Sequence, residues 1–150
     1  MVEIASPRLK HLLSDWEGRR RGREFPCRAD FTPFDLKYIL GNLSLLDVTY
    51  DPLQFRYRLH ASNISERMEK DMTNKIVDDL PAAAHVQKAR NQFGEVVRSR
   101  VPIAFTLSHE FLDHRDPHNC EVLLLPLSND GTSINMIMSG IVWEDDNEQL

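Results

Sequence analysis

The sequence predicts an α+β domain, and three observations carry that expectation. Two strand-like stretches precede a helical middle, and three more follow it. Within each group the links are short and turn-rich, which suits antiparallel neighbours. An amphipathic stripe near the N-terminus adds a helix outside that set. The 150 residues are one domain's worth, 1–150, read as a helix over 6–20, a core over about 27–143 and a polar tail over 144–150.

Ser6-Pro7 pairs a helix cap with a first-turn proline, and Leu9, Leu12, Leu13 and Trp16 then recur at helical spacing. Arg19, Arg20, Arg21 and Arg23, around Gly18 and Gly22, suit the end of that helix. A single apolar stripe must be buried, either on its own sheet or on a second copy. Thr32, Pro33 and Asp35 predict a short capped helix closed by Gly41 or Asn42 in a left-handed conformation.

Leu43–Tyr50 reads as an apolar strand with one internal acid, Asp47, and Asp51-Pro52 as a turn. Gln54–His60 alternates, with Phe55, Tyr57 and Leu59 on one side and Arg56, Arg58 and His60 on the other. The two strands form a hairpin, across which Asp47 is expected to join Arg56 or Arg58 in a partly buried structural charge pair.

A short helix over Ser62–Lys70 and a loop with Asn74 left-handed lead to a long helix from Pro81 to about Ser99. Pro102–Phe111 is expected as a strand with Ile103, Phe105, Leu107, His109 and Phe111 on one face, and Asp113–Asn119 as a polar turn. Glu121–Leu127 follows, its Pro126 marking an edge or a bulge. Asn129-Asp130-Gly131 turns the chain into the last strand, Ser133–Trp143.

The chemistry-bearing residues exclude more than they assign. With 18 Lys and Arg against 23 Asp and Glu, the net charge of −5 makes nucleic acid an unlikely main partner. The basic run Arg19–Arg23 reads as a solvated helix end. Apolar runs are too short to span a bilayer, and the N-terminus has no signal-type segment, so a cytoplasmic protein is expected. Cys27 and Cys120 are read as two reduced thiols. His109, His114 and His118 with Glu110, Asp113 and Asp116 are the densest set of metal-ligand types. They fall on strand and turn without the i, i+4 pairing of a helical site, so a solvated hairpin tip is expected and no metal. No nucleophile elbow, nucleophile–base set or glycine-rich phosphate loop is present, so no catalytic residue is assigned and no enzyme is expected.

A set of ordered motifs resembles a known family. Trp16 is followed by Pro26-Cys27-Arg28-Ala29-Asp30-Phe31-Thr32-Pro33-Phe34-Asp35-Leu36, by Leu45-Leu46-Asp47-Val48 and by Phe55-Arg56-Tyr57-Arg58-Leu59. Over about residues 9–143 this pattern is similar to that of small single-domain bacterial PAS proteins. Ala61-Ser62 stands where the family has G-T, and Asp71-Met72-Thr73-Asn74 where it has D-x-T-G. The resemblance implies a five-stranded antiparallel sheet in order 2-1-5-4-3 with helices over one face. It also implies a stand-alone sensory or regulatory domain that binds a small ligand between sheet and helices and signals to a downstream protein, neither of them identified.

On that resemblance the pocket wall comes from Met68, Ile76, Phe93, Val97, Phe105, Leu107, Met136 and Met138. A homodimer is expected through Leu9, Leu12, Leu13 and Trp16. The cofactor is unknown. For a haem, His85 is the best-placed axial ligand and His60 the next. The flavin-binding segment G-x-N-C-R-F-L-Q is absent, Asn119-Cys120 repeating two of its letters at a strand start. The alternatives are a ligand-free dimeric interaction module and a small enzyme on a cone-shaped α+β fold of the nuclear-transport-factor type.

Overall fold

Ser6 caps the first helix, α1 (Pro7–Arg19), by accepting the Leu9 N–H on its hydroxyl at 3.1 Å. The computed structural model that shows this describes residues 3–108 and 118–146. Leu9, Leu12 and Trp16 are fully buried against the protein's own sheet, and Leu13 packs partly buried on the same core. The Trp16 indole N–H donates to the Pro126 carbonyl at 2.9 Å. The expected dimer interface at Leu9, Leu12, Leu13 and Trp16 is thereby corrected: the stripe is spent inside the chain. Gly140 permits the approach, because a Cβ there would meet Leu9 Cδ2 at 2.8 Å and Leu12 Cδ2 at 3.1 Å.

The helix expected after Thr32 does not form. Its capping box does: Thr32 Oγ1 accepts the Asp35 N–H at 3.2 Å and Asp35 Oδ2 accepts the Thr32 N–H at 3.0 Å. Beyond Leu36, however, the N–H groups reach back three residues, and the stretch closes as a 3₁₀ turn at Leu40–Asn42. The three-residue repeat puts Leu36 and Ile39 in the core together. Gly41 is not left-handed; its missing Cβ leaves room for the Asn63 side chain, 2.8 Å from where that carbon would lie.

Five strands follow in one antiparallel sheet: β1 (Leu43–Thr49), β2 (Gln54–Leu59), β3 (Ile103–Leu107), β4 (Cys120–Leu127) and β5 (Met136–Trp143). Their order is β2-β1-β5-β4-β3, as the resemblance implies, and β1 lying against β5 excludes the cone-shaped enzyme fold. Two helices, α2 (Ser62–Met68) and α3 (Ala83–Ser99), cover the face opposite α1, so each face of the sheet carries a helical layer. Asn74 is left-handed as expected, at φ 68°.

Three local readings change. First, Leu45 pairs with Leu59 and Leu46 with Tyr57, which leaves Arg58 as an extra residue in β2. This bulge reverses the alternation after Tyr57: Leu59 turns outward at 40% exposure and His60 turns inward at 6%. Second, Arg58 Nε donates to both Asp47 oxygens, at 3.0 and 3.1 Å, but its side chain is 62% exposed. The expected charge pair is a surface pair and contributes little. Arg56 lies opposite Asp47 in register yet donates to the Asn74 carbonyl at 2.6 Å instead. Third, β4 is not an edge strand. Pro126 is tolerated inside it because its carbonyl points to Trp16 instead of a strand, so the missing N–H costs no ladder bond.

At the end of β5, Asp146 gathers several elements. Its Oδ2 accepts the Trp143 N–H at 2.8 Å and the Asn42 amide at 3.2 Å, and it lies 3.6 Å from Arg8 of α1. Its other oxygen is 3.5 Å from Arg67 of α2, which also bonds Asp145. Expectations for His109, Glu110, Phe111, Asp113, His114, Asp116 and the end of the tail lie outside the described residues. Among the described residues no cluster of three or more His, Cys, Asp or Glu could hold a metal, and no helix is long and apolar enough to cross a membrane.

Docking of α1 is open to measurement. Trp16→Ala is expected to destabilise by about 3–5 kcal/mol through the cavity it leaves, and Trp16→Phe by about 1–3 kcal/mol because the Pro126 carbonyl stays buried and unpaired. Gly140→Ala is expected to cost about 1–3 kcal/mol by pushing α1 off the sheet. Urea denaturation reads all three as a lower midpoint at unchanged slope.

Candidate functional site

Between the inner face of the sheet and the helices α2 and α3 lies a cavity of about 110 Å³. Its apolar walls are Ile64 and Met68 from α2, Ala89 and Phe93 from α3, and Phe105, Leu107, Val122, Leu124 and Ile141 from the sheet. Of the wall expected from sequence, Met68, Phe93, Phe105 and Leu107 therefore face this space. Ile76, Val97, Met136 and Met138 do not. On β5 the residues turned toward the cavity are Ser139 and Ile141, so Met136 and Met138 belong to the opposite face, where Met138 lines a groove with Phe31, Leu36 and Leu45. Ile76 makes an isolated bridge to Arg56 at the edge of β2, and Val97 is partly buried elsewhere on the core.

The polar residues of the cavity were not anticipated as a set. Ser44 on β1 and Ser139 on β5 are direct cross-strand partners, both buried, and both line the space. Ser44 Oγ accepts the Ala61 N–H at 3.1 Å. The Ser139 hydroxyl has no hydrogen bond among the described residues, and neither has that of Tyr57, which is 9% exposed. Burial pushes the Tyr57 phenol well above its ordinary value, so it stays neutral.

His60 reaches the cavity only because of the bulge at Arg58. Its Nδ1 accepts the Met72 N–H at 3.1 Å and lies 2.8 Å from Ser65 Oγ. A nitrogen that accepts a peptide N–H carries no proton, so Ser65 donates to it and the ring is the Nε2–H tautomer. The ring meets Tyr57 edge-on at 5.1 Å. Burial lowers the His60 pKa, and Asp71, 4.0 Å away, opposes that shift more weakly. His85, Lys88 and Gln92 of α3 complete the lining. Both histidines weighed for haem thus border the space, but about 110 Å³ is far too small for a macrocycle or a flavin with the helices where they stand.

A family model described as a PAS domain matches residues 4–141, which takes in the sheet but for the last two residues of β5, the three helices and every residue of this cavity. The chain belongs to the PAS domain family. No curated protein and no solved structure gives a significant match. PAS domains are generally sensory or interaction modules, and the sheet order and the helical cover seen here are those of that fold.

The buried imidazole makes this PAS domain sensitive to mild acid. Folding favours neutral His60, so an unfolded chain binds its proton first as pH falls below about 6.5. Stability is expected to be flat in this respect above that value and to drop below it, by up to about 1.4 kcal/mol per pH unit, until pH passes the lowered folded value. His60→Asn, which keeps an acceptor toward Met72 and Ser65, should remove that part of the slope between pH 7 and 5 in denaturation midpoints.

Proposed function

We propose that this PAS domain is a sensory module that takes a small molecule into the cavity between the sheet and α3 and passes its state to another protein through the helical layer. One observation carries the reading: two buried residues, Tyr57 and Ser139, turn hydroxyls without a partner among the described residues into a largely apolar cavity. Apolar walls with a few convergent polar groups are the usual make-up of a small-molecule site.

Native mass spectrometry of the full chain, followed by denaturation, should release a small bound species; amide signals of Ser44, His60 and Ser139 should move when it is added back. Ser139→Val removes the orphan hydroxyl and fills space. By burying additional methyl groups it is expected to raise the urea midpoint, by an amount equivalent to about 1 kcal/mol, and to abolish binding. A Ser139→Val protein that is less stable and still binds would overturn the reading.

A second reading, an interaction module, is favoured by the outer face. Leu40 and Leu59 stand exposed along the groove lined by Phe31, Leu36, Leu45 and Met138. On that reading self-association uses this groove and not α1, and Leu59→Asp with Leu40→Asp turns a dimer into a monomer by analytical ultracentrifugation.

A further inference from the structure

We infer that the molecule held in this cavity is a short-chain or one-ring compound with an uncharged carbonyl head, its oxygen accepting from two of the donors that Ser44, Tyr57, His60 and Ser139 present. The inference rests on the proposed ligand-binding reading and narrows it to a chemical class.

Size sets the first limit. About 110 Å³ encloses a handful of non-hydrogen atoms, enough for a five- or six-membered ring or a branched short chain.

The division of the walls sets the second. The sheet side brings hydroxyls and one imidazole together at β1, β5 and the end of β2, where Ser44 and Ser139 lie opposite each other and His60 is next to the Ala61 that Ser44 binds. Leu124, Phe105, Leu107 and Val122 on β4 and β3, with Ala89 and Phe93 of α3, form the apolar part, and His85, Lys88 and Gln92 stand on the helical side. The occupant is therefore amphipathic, with a polar end at the sheet.

Counting donors sets the third. His60 has its Nδ1 committed to Met72 and Ser65, so the edge it can offer is Nε2–H, a donor only. Ser44 already accepts the Ala61 N–H, which leaves its hydroxyl hydrogen to give. Tyr57 and Ser139 bring two further O–H groups with no partner among the described residues. The excess is in donors, and the missing partner is an acceptor oxygen with two lone pairs.

Charge sets the fourth. Among the described residues no Asp or Glu lines the cavity, so a cationic head has no counter-charge there. At the polar end His60 is held neutral by burial and the other three groups are hydroxyls. Lys88 comes from α3, the wall opposite the sheet. A neutral carbonyl, as in a ketone, lactone or amide, meets these donors without bringing a charge that must be desolvated.

The test compares isosteres on the full-length protein by amide chemical-shift titration at equal free aqueous concentration. Cyclohexanone carries the carbonyl, methylenecyclohexane replaces its oxygen by a methylene, and cyclohexanecarboxylate carries an anion. A purely apolar cavity prefers the hydrocarbon, so a preference for the ketone reports the donors. Cyclohexanone is expected to move the signals of Ser44, His60 and Ser139 and to bind about fivefold tighter than methylenecyclohexane, the worth of one net hydrogen bond. Tyr57→Phe, and separately Ser139→Ala, should shrink that ratio while leaving the hydrocarbon's own affinity in place, a readout that loss of fold would not mimic. Equal binding of ketone and hydrocarbon would overturn the carbonyl assignment and keep the cavity as a ligand site. Tightest binding by the carboxylate, weakened by salt, would overturn it in favour of an anion. If none of the three moves the cavity signals up to its solubility, both the carbonyl assignment and the ligand-binding reading fall.

Discussion

The side chains of the central strands divide between two helix-covered faces, and that division governs the rest of the structure. α1 buries its stripe on one face while α2 and α3 cover the other. A strand has period two, so one residue of slip exchanges the whole contents of the two layers. β5 shows the consequence: Gly140 lies under Leu9 and Leu12, while Ser139 and Ile141 on either side of it line the cavity. The space is a product of that alternation, since two serines face it where larger apolar side chains would close it.

The bulge at Arg58 breaks the alternation of β2, and it sets the polar end of the cavity. Without it Leu59 would point inward and His60 into solvent. With it, an imidazole is brought beside Tyr57 and fixed from behind by Met72 and Ser65. Bulges often serve to re-aim a side chain near a functional site.

Much of the fold was legible because its evidence is local. The Ser6 cap, the stripe of α1, the apolar strands and the turn at Gly131 each carry their own chemistry within a few residues. The site was legible only in part. Met136 and Met138 do share a face, as their spacing requires, but spacing names no face; packing against α1 decides that. His60 depended on a bulge that no residue type announces. The Thr32–Asp35 box formed and still did not start an α-helix, because burial of Leu36 and Ile39 outweighed helical propensity. Ser44 and Ser139 did leave a trace: each is a hydroxyl inside an otherwise apolar strand, and two such residues in register are a polar spot in a sheet.

Asp146 joins what the sheet separates. Arg8 reaches it from the layer on one face, and Arg67 of α2, which also bonds Asp145, reaches it from the other. A tightly packed sheet transmits little between its faces unless it bends. A carboxylate shared at its rim ties the two helical layers together around the border of the sheet, so that Arg8, the Asn42 amide and Arg67 hold one group between them.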